Sequence, residues 1–354
     1  MKSIAEKVAD AVLYEGYILY PYRPSSLKNR QRWNFGGICP RAYSEAQKGT
    51  ELWRSQTQVL ALGSPASAVS VKLRFLQLVA REIAQIDRPV SDLAECAASD
   101  LSVVPSLKIG DRLFQTWQEA VEQEVNLPEF VLGVCEPSEA TFTFNFPASR
   151  SMEPIRDQSQ IVAALIRTQQ QLDGRVTIKS ARIRDTLFRV TVEVSNLADL
   201  PNAGLVARDE AMMHSLASCH LIVSVRDGEF VSLLDPPAEF AEAACECRNV
   251  GVYPVLVGAE NQRTTMLASP VILYDYPAIA PESAGDLFDG TEIDEILTLR
   301  IMALTDAEKS ELRQSDERAR RILDRIEANP EQLMKLHGAI RAISPAQGNE
   351  GDAR

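Results

Sequence analysis

Seven carboxylates crowd one stretch of the chain: Asp275, Glu282, Asp286, Asp289, Glu292, Asp294 and Glu295. Two carboxylates held at different pKa values can serve as general acid and general base. A hydrolase built on groups near Asp275 and Asp289 is therefore one reading. The same stretch opens on the aromatic–acid run Tyr274-Asp275-Tyr276 and carries Pro270, Pro277 and Pro281. Proline fixes φ and removes an N–H, so residues 267–300 are expected to be irregular around a short apolar run at Val271–Leu273. Long irregular loops in globular chains are more often functional than idle. Acids in such a loop can equally be solvated, with no chemistry at all.

Metal chemistry has its own candidates. Cys245, Cys247 and His220 supply thiolate and imidazole, the ligands of zinc, nickel or iron. His214 and Cys219 lie near His220 in sequence. The spacing is unusual, since C-x-C is less common than C-x-x-C, and core burial of Cys219 and Cys245 is the competing account. No G-x-S-x-G motif is present, and the three histidines, His214, His220 and His337, leave few choices of base for a serine nucleophile. Gly36-Gly37 precedes Cys39 without a phosphate-cradling pattern around it. The reading leans away from an enzyme and names no catalytic residue and no firm cofactor.

A basic, aromatic patch runs through Tyr20, Tyr22, Arg23, Lys28, Arg30, Arg32 and Trp33. Arginine, tyrosine and tryptophan dominate interface hot spots, so a protein partner is one implication. Pairing with the chain's own acids, including those at 275–295, is the other. Nucleic acid is disfavoured, because the 354-residue chain has a net charge of −12 and phosphate contacts need clustered cations. The candidate partner surface is therefore Tyr20, Tyr22, Arg23, Arg30, Arg32 and Trp33 together with Tyr274, Asp275, Tyr276, Asp286 and Asp289.

The elements that must position these groups follow from periodicity. The apolar spacing predicts a helix at Ser3–Tyr14 and strands at Val71–Val79 and Thr141–Phe146. It predicts helices at Leu113–Val125 and Asp157–Gly174. The turn-rich segment Pro147–Pro154 reads as a linker. Strands are expected at Arg175–Lys179, Leu187–Ser195, His220–Val225 and Gly251–Val257, and a hairpin turn at 226–229. Short helices are expected at Asp209–Ser218 and Ala238–Glu246. Thr305 and Glu308 fit a capping box, and Leu312, Ala319, Ile322, Leu323 and Ile326 form an apolar stripe. Asn329-Pro330 starts a further helix. The fold class is α+β: a mainly-β N-terminal domain (1–150), a mixed α/β domain with the acidic loop (151–303), C-terminal helices (304–343) and a disordered tail (344–354). The six scattered cysteines do not suit a disulfide scaffold, and no apolar run approaches the ~20 residues of a membrane helix. A cytoplasmic protein without a membrane partner is expected.

Three stretches carry a resemblance: Val12–Arg23 with Trp33–Gly36, Ser269–Arg300, and Leu304–Arg321 with Gln332–Gly338. Together they resemble an uncharacterised bacterial protein family encoded beside nickel–iron (NiFe) hydrogenase genes, notably those of oxygen-tolerant, high-affinity uptake enzymes. The resemblance implies a non-catalytic accessory or assembly role, with a hydrogenase subunit or maturation factor as partner. A metal carrier using Cys245, Cys247 and His220 is the metal-binding variant of that role. The resemblance carries over no catalytic or ligand residue.

Overall fold

A single strand, β1 (Arg54–Val90), runs for 37 residues and pairs with six other strands of the main sheet. The computed structural model describes residues 2–15, 17, 33, 36–110, 112–133, 138–277, 299–315 and 317–328. The strands after β1 are β2 (Leu101–Val104), β3 (Ser106–Ile109), β4 (Arg112–Gln115), β5 (Trp117–Asn126), β6 (Phe130–Val131), β7 (Ser138–Phe146) and β8 (Ser149–Asp157). Then come β9 (Gln160–Gln169), β10 (Leu172–Arg184), β11 (Leu187–Asn196), β12 (Ala217–Val231), β13 (Tyr253–Leu256) and β14 (Thr265–Ser269). The labelled helices are α1 (Ile4–Leu13), α2 (Arg41–Ala46), α3 (Arg208–Met212), α4 (Ala241–Cys245), α5 (Asp306–Ser315) and α6 (Glu317–Ala328). The protein is mostly β, 50% strand against 22% helix, with helices added around one large antiparallel sheet.

Shared registers fix the layout. Residues 60–62 pair with both β11 and β12, so those strands lie on opposite edges of β1. By the same test β6 and β5 follow β11 along one edge, and β9 follows β12 along the other. β2 then faces β9 across residues 83–85. Outward from this spine, β10 and β7 extend β11, β14 and β13 extend β12, and β8 extends β9. A straight strand of this length would span roughly 120 Å. Register shifts between Gly63 and Ala68, Arg74 and Leu76, and Gln85 and Val90 interrupt it, and bulges of this kind bend and twist a strand.

Period-two alternation builds the cores. Val59, Ala61, Val69, Val71, Leu73 and Phe75 of β1 join Phe188, Val190, Val192 and Val194 of β11 in one apolar cluster. Leu76 and Leu78 point the other way, into a second cluster with Tyr14, Tyr17, Leu312, Ile322 and Leu323. The C-terminal stripe is therefore buried as its spacing predicts, and Thr305 and Glu308 exchange both capping-box bonds. Helix α1 likewise starts on a capping box between Ser3 and Glu6.

Four expectations are corrected. Residues 113–125 form β4 and β5, not a helix. Trp117, Val121 and Val125 are four apart, and four is also a multiple of two, so one strand face accommodates them equally. Residues 157–174 form β9 and the start of β10. Ile161, Ala163, Ala164, Leu165 and Ile166 are all buried, and a strand covered on both faces loses the alternation that would reveal it. The hairpin expected at 226–229 is absent: β12 continues through it as Asp227 takes φ +55° and Gly228 pairs with Gly63. A Cβ at Gly228 would lie 2.6 Å from the Leu62 carbonyl oxygen, so the Asp-Gly pair serves close strand approach. The segment expected as a linker runs into β8, and strands from both sides of it share the sheet. The helix expected from Asn329 and the tail from 344 lie outside the described residues.

Gly174 packs its bare Cα under the Phe144 ring, where an added Cβ would fall 2.1 Å from the ring edge. Gly174→Ala is expected to cost about 1–3 kcal/mol by overpacking. Urea denaturation checks this, and adding Phe144→Leu should restore most of the loss.

Candidate functional site

The aromatic–acid run is partly tied down and partly exposed. Asp275 accepts hydrogen bonds from the Ser232 hydroxyl at 2.5 Å and the Leu256 N–H at 2.8 Å. Tyr276 takes φ +54°, donates its N–H to the Leu256 carbonyl at 2.7 Å and packs against the β1–β11 cluster. These bonds fasten the chain beyond β14 to the β13 edge. Tyr274, just before these anchors, is 86% exposed, and Ile272 is 75% exposed. Beside them a groove of about 640 Å³ is lined by Ile4, Val8, Tyr276 and Pro277, with Lys7, Glu260 and Asp275 at its polar margin. An apolar floor with a charged rim is the anatomy of a protein-docking surface.

Of the other expected surface residues, Trp33 is buried and donates its indole N–H to Gln118 at 3.0 Å. Its ring meets Tyr17 edge-on at 5.0 Å, which makes it a core group where it is described. Tyr20, Tyr22, Arg23, Arg30, Arg32, Asp286 and Asp289 lie outside the described residues.

The three metal candidates are not brought together. Cys247 packs with Leu60, Leu187 and Val231, and Cys245 is exposed at the end of α4. His220 sits on the same continuous strand as Val231 but eleven residues earlier, on the order of 30 Å along β12. Among the described residues no group of three or more His, Cys, Asp or Glu could hold a metal ion. His220 is fully buried, with Nδ1 2.6 Å from the Ser218 carbonyl oxygen. A carbonyl can only accept, so Nδ1 carries a proton. Burial, with the Arg74 cation adding to it, pushes this imidazole down to about 4. Burial also raises Cys219 to about 12 and holds the Cys247 thiol above its usual value, so both favour the thiol over the thiolate.

Sequence reasoning missed an ionic network around Arg74. This guanidinium, buried in β1, bonds Asp10 of α1 at 2.6 Å and reaches Glu122 of β5 at 3.4 Å. Tyr14 donates its hydroxyl to Glu122 at 2.7 Å. Arg318 of α6 covers the Tyr14 ring, its guanidinium carbon 3.9 Å from the centroid, and also reaches Glu122 at 3.4 Å. Two residues earlier on β1, Lys72 bridges Glu6 at 2.6 Å and Glu124 at 3.2 Å. The Lys72 ammonium, helped by the Ser3 backbone N–H, holds the Glu6 carboxyl down at about 2. The visible signal was Lys72 and Arg74 set into an otherwise apolar strand, since a buried cation implies partners.

Comparison with family models, with curated proteins and with solved structures finds no match to this chain.

His220 supplies a pH test. Its folded pKa lies below the unfolded value of 6.5, so its contribution is complete above pH 6.5 and is lost as pH falls toward 4. The loss should be on the order of 3 kcal/mol across that window. Denaturation midpoints of the native chain and His220→Gln, measured between pH 7.5 and 4.5, should converge on acidification. Parallel profiles would show that His220 does not titrate in this range.

Proposed function

We propose that this chain is a cytoplasmic, non-catalytic accessory protein that docks a protein partner on the groove beside Tyr274. The observation that carries the reading is the exposure of Ile272 and Tyr274 next to an apolar groove with a charged rim. Large apolar groups left in water at a bounded patch favour burial against another surface, at about 25 cal/mol per Å² covered. The family resemblance supplies the class of partner, a subunit or maturation factor of a NiFe hydrogenase. Neither nucleic acid nor a membrane enters this reading. Among the described residues no helix is long and apolar enough to cross a membrane.

The carboxylate-enzyme alternative draws less support. Both oxygens of Asp275 are engaged by the chain itself, which suits an anchor more than a general base. The carrier alternative draws less support from the separation of His220 from Cys247.

The test is capture of the tagged chain from its native host under hydrogenase-inducing conditions. Ile272→Ser with Tyr274→Ala should lower recovery of the co-purified hydrogenase component about tenfold or more, as loss of hot-spot residues does. The melting temperature should stay unchanged, because both side chains face solvent. Undiminished capture by a folded double variant would sink the groove as the docking surface.

A further inference from the structure

Three strands close the outer ends of the main sheet, each pairing on one side only among the described residues: β13, β8 and β7. An open edge presents unpaired N–H and C=O groups that another strand can take up. Two of the three edges are guarded. β13 is four residues long and contains Pro254, and β8 contains Pro154 among Arg150, Glu153, Arg156 and Asp157. β7 has no such guard. It runs nine residues, Ser138–Phe146, without proline and with Glu139 as its one charged residue.

The two faces of β7 differ. Ala140, Phe142, Phe144 and Phe146 turn toward the apolar cluster but stay only partly buried. Phe144 and Phe146 pack on Phe75 at centroid distances of 6.0 and 5.7 Å, and no described strand continues the sheet beyond β7 to complete their cover. Glu139, Thr141, Thr143 and Asn145 are exposed on the other face. Glu139 pairs with Lys179 of β10 at 3.1 Å. Asn145 donates one amide N–H to Asp173 of β10 at 2.7 Å.

We propose that the β7 edge pairs antiparallel with the β7 edge of a second copy of this chain, about a two-fold axis at Phe142. Opposed residues of a ladder share a face, so the axis must pass through a residue, and Phe142 is the centre that pairs all nine. Phe144 then opposes Ala140 and Phe146 opposes Ser138, a large group against a small one each time. Thr141 opposes Thr143, a favourable cross-strand pair. Glu139 opposes Asn145 and never another carboxylate. With β10 on each side, one row across the sheet reads Lys179, Glu139, then Asn145 and Asp173 of the second copy. The second amide N–H of Asn145 thereby gains Glu139 as its acceptor, and every carboxylate in the row has a donor. Self-complementarity of this kind selects a copy of the chain over a foreign strand, and such an isologous contact closes at two chains. The net charge of −12 opposes association at long range, and physiological salt screens it. The inference does not depend on the docking groove.

Sedimentation velocity of the full chain in about 0.15 M salt, from about 1 to 100 µM, should show a monomer–dimer equilibrium and no larger species. Amide hydrogen exchange in residues 138–146 should slow as concentration rises through that range. Asn145→Asp places a carboxylate opposite Glu139 on both sides of the axis and should weaken dimerisation about tenfold. Adding Glu139→Lys turns each of those pairs into opposite charges and should restore it. A chain that stays monomeric throughout would overturn the proposal. So would growth into larger species, or dimers whose formation leaves exchange at 138–146 unchanged. Undiminished dimerisation of folded Asn145→Asp would overturn it as well.

Discussion

The structure depends on satisfying both hydrogen-bonding edges of one very long strand. Each buried N–H and C=O of β1 needs a partner, because an orphaned backbone group in an apolar setting costs as much as a lost hydrogen bond. No single strand is long enough to satisfy a 37-residue edge. The chain therefore lays β11, β6, β5 and β2 in succession along one edge and β12 and β9 along the other. Irregularities in this pairing fall at 63–68, 74–76 and 85–90. At one of them Ser67 fastens the bulge, accepting from the Ser64 N–H at 2.9 Å and donating to the Asp227 carbonyl at 2.5 Å.

A strand buried on both faces must also place its polar side chains. β1 does so with compact hydrogen-bonded sets. Gln77 is fully buried, accepts from Gln123 at 2.9 Å and Gln169 at 2.7 Å, and donates to the Gln170 carbonyl at 2.8 Å. Arg74 projects from the opposite face into the carboxylates of α1 and β5. Such buried polar sets add little net stability over apolar packing, but they penalise every register that leaves one member unpaired. That penalty matters in a long strand, where a slip of one residue would exchange the two faces.

The sequence made some of this legible and concealed the rest for physical reasons. Clean alternation at Thr141–Phe146 and Leu187–Ser195 exposed those strands, apolar spacing exposed α1, and cap chemistry exposed the start of α5. The strands at 117–126 and 160–169 were hidden, the first by apolar spacings of four residues and the second by burial on both faces. Gly63-Ser64-Pro65-Ala66-Ser67 has the composition of a turn, so nothing local announces a strand passing through it. The residues 274–276 were visible as a distinctive run, but which of them would be exposed depended on anchors at Ser232 and Leu256, far away in sequence. The partners of Arg74 could not be named, because Asp10, Glu122 and Arg318 come from distant segments and converge only in the fold.

Helix α1 joins the apolar groove to the ionic network. Its ten residues are too few for independent stability, so it is held by what it packs against. One side presents Ile4, Lys7 and Val8 to the groove. The other carries Asp10 to Arg74, and the chain just beyond it carries Tyr14 beneath Arg318, which reaches the same Glu122 as Arg74. The helix therefore takes its place from contacts on both sides, one apolar and one ionic, and neither set alone would hold so short an element.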